Sequence, residues 1–119
     1  MKPYWLLILT CWCSATWAAT IDNIRIWPAP DNTRLVFDVS AAVTFEKITL
    51  TNPDRLVIDI DASVLSTSVA KLDFTNSPIR SIRSSQRSDN KLRLVLDLVY
   101  QANHKIFTLA PNASYGHRL

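Results

Sequence analysis

At 119 residues the chain has room for one domain, and its Pro, Asn and Asp clusters between short apolar runs exclude a helical bundle. The net charge of +3 becomes +2 without Lys2, with twelve basic residues facing ten acidic ones. This mixed surface lacks the uninterrupted basic stripe and stacking aromatics of a nucleic-acid binder, so no nucleic acid is expected among its partners.

The opening stretch MKPYWLLILTCWCSATWAA has one early cation, Lys2, an apolar run from Trp5 to Trp12, and small residues at Ala15, Ala18 and Ala19. That is the pattern of a secretory signal peptide, with the cut placed after Ala18. Thr10, Ser14 and Thr16 interrupt the run and no positive stop follows, so no membrane span is expected after cleavage. Cys11 and Cys13 both belong to residues 1–18, which leaves residues 19–119 without thiol, disulfide or cysteine metal site. The residues before each cysteine make a poor lipoprotein processing site.

From Ile21 the apolar period is two: Ile24 and Ile26 alternate with Asn23 and Arg25, and PAPDNT at 28–33 turns the chain into RLVFDV at 34–39. A second pair is expected from Val43, Phe45, Ile48 and Leu50, returning through TNPD at 51–54 into RLVIDI at 55–60. The spacing from Phe45 to Ile48 predicts a bulge or bend. Residues 61–70 form a low-charge, Ser-rich connection able to cross between sheets, KLDF at 71–74 reads as another strand, and SSQRSDNK at 84–91 reads as a polar loop.

The second half restates the first. A shift of 59 residues places Arg34 on Arg93, Asp38 on Asp97, Ile48 on Phe107 and Leu50 on Leu109. Arg118-Leu119 then falls where Arg55-Leu56 begins RLVIDI, so the last strand is expected to be cut short and to continue beyond Leu119. The fold class expected is all-β: a β-sandwich of two similar antiparallel sheets from an internal duplication, preceded by a signal peptide.

RLVFDV, RLVIDI and RLVLDL at 93–98 are one strand written three times. Alternation puts Leu35, Phe37 and Val39 on the core face and Arg34, Val36 and Asp38 on the other. Two readings of the outward Arg-Val-Asp face stay open. Antiparallel strands centred on their valines would set each Arg opposite the other's Asp in a cross-strand ladder. Alternatively, an Arg-lined face recognises carboxylates or sugars through bidentate guanidinium geometry.

Catalytic patterns are missing: His104 and His117 have no companion ligands at metal spacing, and no HExxH, GxSxG or glycine-rich phosphate loop occurs. Asp59 and Asp61 read as a polar strand edge rather than an acid/base couple. Asn112-Ala113-Ser114 matches a glycosylation acceptor, of consequence only in a eukaryotic host. Trp27 stands at a loop mouth, where it either packs over the loop or stacks on a sugar.

The hairpin with RLVFDV, LTNPDRLVIDI at 50–60 and IRSSQRSDNKLRLVLDL at 82–98 resemble the AMIN domain, a module of periplasmic N-acetylmuramoyl-L-alanine amidases and of type IV pilus secretins. The resemblance covers residues 19–119 and implies a non-catalytic β-sandwich. Its implied role is to bind peptidoglycan and to localise an amidase for cell-wall remodelling and daughter-cell separation. The alternative it leaves is a docking module of a secretin. It implies the periplasm of a Gram-negative bacterium, and the leader has no twin arginine, which points to the general secretory route. Division-site or pilus proteins are the further partners it suggests. No cofactor is expected in this chain, and zinc only in a downstream catalytic domain. The residues matching the family pattern, and so the candidate peptidoglycan contacts, are Arg34 and Asp38, Arg55 and Asp59, and Arg93 and Asp97, with Arg25 and Arg83 on partner strands.

Overall fold

The computed structural model describes residues 10–12, 18–69, 71–88 and 90–119. The expected leader, residues 1–18, falls largely outside the described residues, as does Cys13. Eight strands occur among those described: β1 (Ala19–Trp27), β2 (Arg34–Val39), β3 (Phe45–Leu50), β4 (Arg55–Ile60), β5 (Ser63–Leu65), β6 (Ile79–Gln86), β7 (Leu92–Leu98) and β8 (His117–Arg118). They form a first sheet of order β5-β1-β2-β8 and a second of order β3-β4-β7-β6, and the protein is an all-β sandwich. All pairings are antiparallel except that of β5, which runs parallel to β1.

The duplication is visible in the register. In the first sheet Arg25 lies opposite Val36 and Ile24 opposite Phe37; in the second, Arg83 lies opposite Val95 and Ile82 opposite Leu96. Each hairpin has its irregularity at the same point, between Ile21 and Asn23 in one and between Ile79 and Ser81 in the other. Such bulges increase local twist and re-aim the side chains beside them. The halves also exchange their second strands. β4 of the first half pairs with β7, with Arg55 opposite Asp97, and β8 of the second half pairs with β2, with Arg118 opposite Asp38. Leu109 bridges Arg118 as Leu50 pairs with Arg55, so a single bridge stands where the first half has β3.

The core lies between the sheets. Ile21, Ile24, Phe37 and Val39 of the first meet Leu56, Ile58, Ile60, Ile82, Leu92, Leu94 and Leu96 of the second, and Leu119 closes one end. Full burial of each such side chain contributes roughly 1.5–3 kcal/mol. The connection after β4 does cross between sheets, carrying β5 with Ser63 fully buried and its hydroxyl donating to the Asp61 carbonyl. With one glycine in the sequence, left-handed turn positions fall to asparagine: Asn52, Asn76 and Asn90 have φ between 55° and 62°. Asparagine tolerates that region because its short polar side chain bonds locally.

Three expectations are corrected. The β3–β4 register is continuous from Phe45 to Leu50, so no bulge separates Phe45 from Ile48; the two side chains point to opposite faces, and Ile48 and Leu50 stand exposed on the outside. KLDF is not a strand. Asp73 accepts bonds from the backbone N–H and hydroxyl of Thr75, a local turn that competes with strand pairing, while Leu72 and Phe74 pack onto the core from a loop. Ser84, Ser85 and Gln86 belong to β6, where they pair with Leu94, Arg93 and Leu92, and the Gln86 amide donates to the Ser63 carbonyl. Backbone pairing holds these polar residues in a strand that their composition does not announce.

Candidate functional site

Because the sheets pack face to face, the eight candidate residues fall on two opposite outer surfaces and do not form one site. Arg25, Arg34 and Asp38 belong to the first sheet, and Arg55, Asp59, Arg83, Arg93 and Asp97 to the second.

Each face is built on the same clamp. On the first sheet, Arg25 donates from Nε and Nη2 to the two carboxylate oxygens of Asp38 at 2.8 and 2.7 Å. On the second, Arg83 does the same to Asp97 at 2.7 and 2.8 Å, and the Ser81 hydroxyl adds a third bond at 2.9 Å. Both pairs run diagonally across the hairpin, from the residue opposite the central valine to the Asp two positions on. Donating to Asp38 holds Arg25 above the ordinary arginine range, and donating to Asp97 does the same for Arg83. Arg83, followed by Ser81 and by the nearby charges of Arg83 and Arg55, holds Asp97 below the usual carboxylate range against its own partial desolvation.

The β4–β7 pairing is the cross-strand ladder in its register: centred on Val57 opposite Val95, it sets Asp59 opposite Arg93 and Arg55 opposite Asp97. Only one rung closes directly. Arg93 donates to both oxygens of Asp59 at 2.8 and 2.9 Å, whereas Asp97 is taken by Arg83, and Arg55 donates to the Pro53 carbonyl at 3.1 Å. The outward valines are themselves shielded, Val36 opposite Arg25 and Val57 between Ile48 and Val95.

Two residues that sequence reasoning did not single out complete the first face. Arg118 lies opposite Asp38, and Tyr115 sits with its ring between the guanidinium groups of Arg25 and Arg118, 4.9 and 5.1 Å from them. Arg118 carried a signal, its alignment with Arg55. Tyr115 carried none, since only the folded chain brings its loop against β1. The Asn112 side chain accepts the backbone N–H groups of Ser114 and Tyr115 and so holds that loop closed. Trp27 lies 5.5 Å from Arg25 and 5.6 Å from Arg34 on the same face.

Between the sheets a cavity of about 920 Å³ is lined by Leu35, Phe37, Leu56, Leu96, Ile106 and their neighbours. It borders His104, whose Nε2 is buried without a hydrogen-bond partner and whose Nδ1 lies 3.3 Å from the Ala102 carbonyl. Among the described residues no cluster of His, Cys, Asp or Glu could hold a metal ion, and no helix is long and apolar enough to cross a membrane.

The chain is similar to the N-acetylmuramoyl-L-alanine amidase AmiC of Neisseria meningitidis serogroup B, 37% identical over 99 residues that make up 80% of this chain and 24% of that protein. It is also similar to the N-acetylmuramoyl-L-alanine amidase AmiC of Escherichia coli O6:H1, 29% identical over 119 residues that make up 97% of this chain and 28% of that protein. It thus spans about a quarter of the length of these relatives. The model of the AMIN domain family matches residues 23–119, a stretch that takes in both clamps and all eight candidate residues, and the chain belongs to that family.

Proposed function

We propose that this AMIN domain is a non-catalytic, peptidoglycan-binding module that positions a periplasmic N-acetylmuramoyl-L-alanine amidase for cell-wall remodelling and daughter-cell separation. The observation that carries the reading is the doubled Arg-Asp clamp on the outer faces. Ion pairs open to solvent on one side add little to stability, a weak reason to build the same bidentate pair on both faces, whereas oriented guanidinium groups suit a ligand rich in carboxylate and amide oxygens. The named activity of the relatives supports the choice of ligand, because the amide they are named for lies within peptidoglycan. Arg25, Arg34, Asp38, Arg55, Arg83, Arg93 and Asp97 are the proposed contact residues, and Asp59, buried and bonded through both oxygens to Arg93, orients that arginine. Export by the general secretory route through residues 1–18 is part of the same proposal. In this reading zinc belongs to a downstream catalytic domain and hydrolysis to that domain.

Sedimentation with purified sacculi tests the proposal. The chain is expected in the pellet, saturably, at low and moderate salt. A chain that stays in the supernatant while its circular dichroism is that of a folded β protein overturns it.

A further inference from the structure

The two outer faces share one Arg-Asp frame but differ in what surrounds it. Along the first sheet the order is Arg34, Trp27, Arg25, Tyr115, Arg118, with every neighbouring cation and ring within 5.6 Å. On the second sheet the residue opposite Arg93 is Ser85, where the first sheet sets Trp27 opposite Arg34. The loop bearing Tyr115 is there replaced by the turn 51–54, TNPD, which contains no aromatic residue. Ile48, Val57 and Val95 cross that face instead.

Neither ring serves the core. Trp27 is 49% exposed and Tyr115 48%, and the loop that carries Tyr115 is pinned by Asn112. Arg118 spends Nε and Nη2 on the carbonyls of Gly116 and Ala110 at 3.3 Å, long for a charged hydrogen bond, so most of its five N–H donors are left for another acceptor. Half-exposed rings interleaved with guanidinium edges match a polymer that offers apolar C–H faces and polar oxygens in alternation. A sugar strand does so, through pyranose faces and acetamido carbonyls. A stem peptide would engage the arginines and leave the rings in water.

We propose that the two faces have diverged, and that the face of Trp27, Arg25, Tyr115 and Arg118 takes the glycan strand, a polymer of N-acetylated amino sugars, while the second face does not. The inference rests on the peptidoglycan reading and sharpens it. Affinity of the full chain is measured for peptide-free glycan strands, for N-acetylglucosamine oligomers and for free stem peptide. The parent is compared with the double variant Trp27→Ala with Tyr115→Ala and with Ile48→Ser on the other face. The double variant is expected to lose affinity for both sugars by about tenfold or more, as the loss of two aromatic contacts implies, with an unchanged circular dichroism spectrum. Ile48→Ser is expected to bind as the parent does. Parent-like glycan binding by the double variant, an equal loss in Ile48→Ser, or binding of stem peptide but not of sugar overturns the inference. If the double variant unfolds, the milder pair Trp27→Gln with Tyr115→Gln decides by the same criterion. Sacculus sedimentation separates the two proposals: a parent that sediments with sacculi yet ignores free glycan sinks this inference alone, and a parent that fails to sediment sinks both.

Discussion

Asp59 of β4 and Arg93 of β7 stand directly opposite each other and share two hydrogen bonds of 2.8 and 2.9 Å, with Asp59 only 7% exposed. The Arg83–Asp97 pair has the same bond geometry, but the Arg83 side chain is 61% exposed. Shielding from water separates two pairs of the same chemistry, because solvent screening takes most of the energy from an exposed ion pair. Asp59→Asn is therefore expected to destabilise the fold by about 1.5–3 kcal/mol, and Arg83→Gln by clearly less. Urea denaturation of the two variants beside the parent reads the difference, and equal costs would refute the ordering.

Acid should unfold the protein partly through the same carboxylates. Arg93 chiefly holds Asp59, and Arg83 chiefly holds Asp97, below the ordinary aspartate value of 3.8. A group whose folded value is depressed contributes stability above its unfolded value and loses that contribution as pH falls through the folded one. The contribution of these two carboxylates is expected to be level from neutral pH down to that ordinary value and to decline below it. Asp59→Asn should flatten the decline in denaturation midpoints taken across this range; an unchanged slope would remove Asp59 from the account.

Ala62 has φ of 44°, a left-handed conformation that costs an L side chain roughly 1–2 kcal/mol, and its carbonyl accepts the Ala19 N–H at 2.8 Å. Ala62→Gly relieves the Cβ without touching that bond. The substitution is expected to raise stability by about 0.5–1 kcal/mol after the added freedom of the unfolded chain is subtracted, visible as a higher melting temperature. A lower one would show that the local backbone accommodates alanine without strain.

Leucine and isoleucine on the two faces of one sheet should behave very differently. Leu94 is fully buried between the sheets, while Ile48 is 44% exposed on the outside. Leu94→Ala is expected to cost about 2–5 kcal/mol and Ile48→Ala within about 0.5 kcal/mol. Comparable losses in the two variants would mean that something covers the outer face in solution.

Much of the fold is legible in the sequence. Alternation in RLVFDV, RLVIDI and RLVLDL separates core side chains from outward Arg and Asp, and the 59-residue shift foretells two matching hairpins. The ladder register of β4 on β7 follows from antiparallel pairing centred on the valines. Where the reading failed, a hydrogen bond outside the apolar pattern decided. Ser84 to Gln86 look like a loop until non-local pairing with β7 and Ser63 holds them in a strand, and KLDF looks like a strand until Asp73 bonds Thr75 in a local turn.

The sequence by itself determined which side chains share a face, because a strand's period of two is a local property of the backbone. The tertiary structure alone decided which faces share a surface. Which sheet a strand joins depends on partners far along the chain: β4 leaves its own half for β7, and β8 joins β2. That exchange puts three of the candidate residues on one side of the sandwich and five on the other. It also carries Tyr115 across ninety positions to Arg25, a contact made by packing and not written in any local pattern.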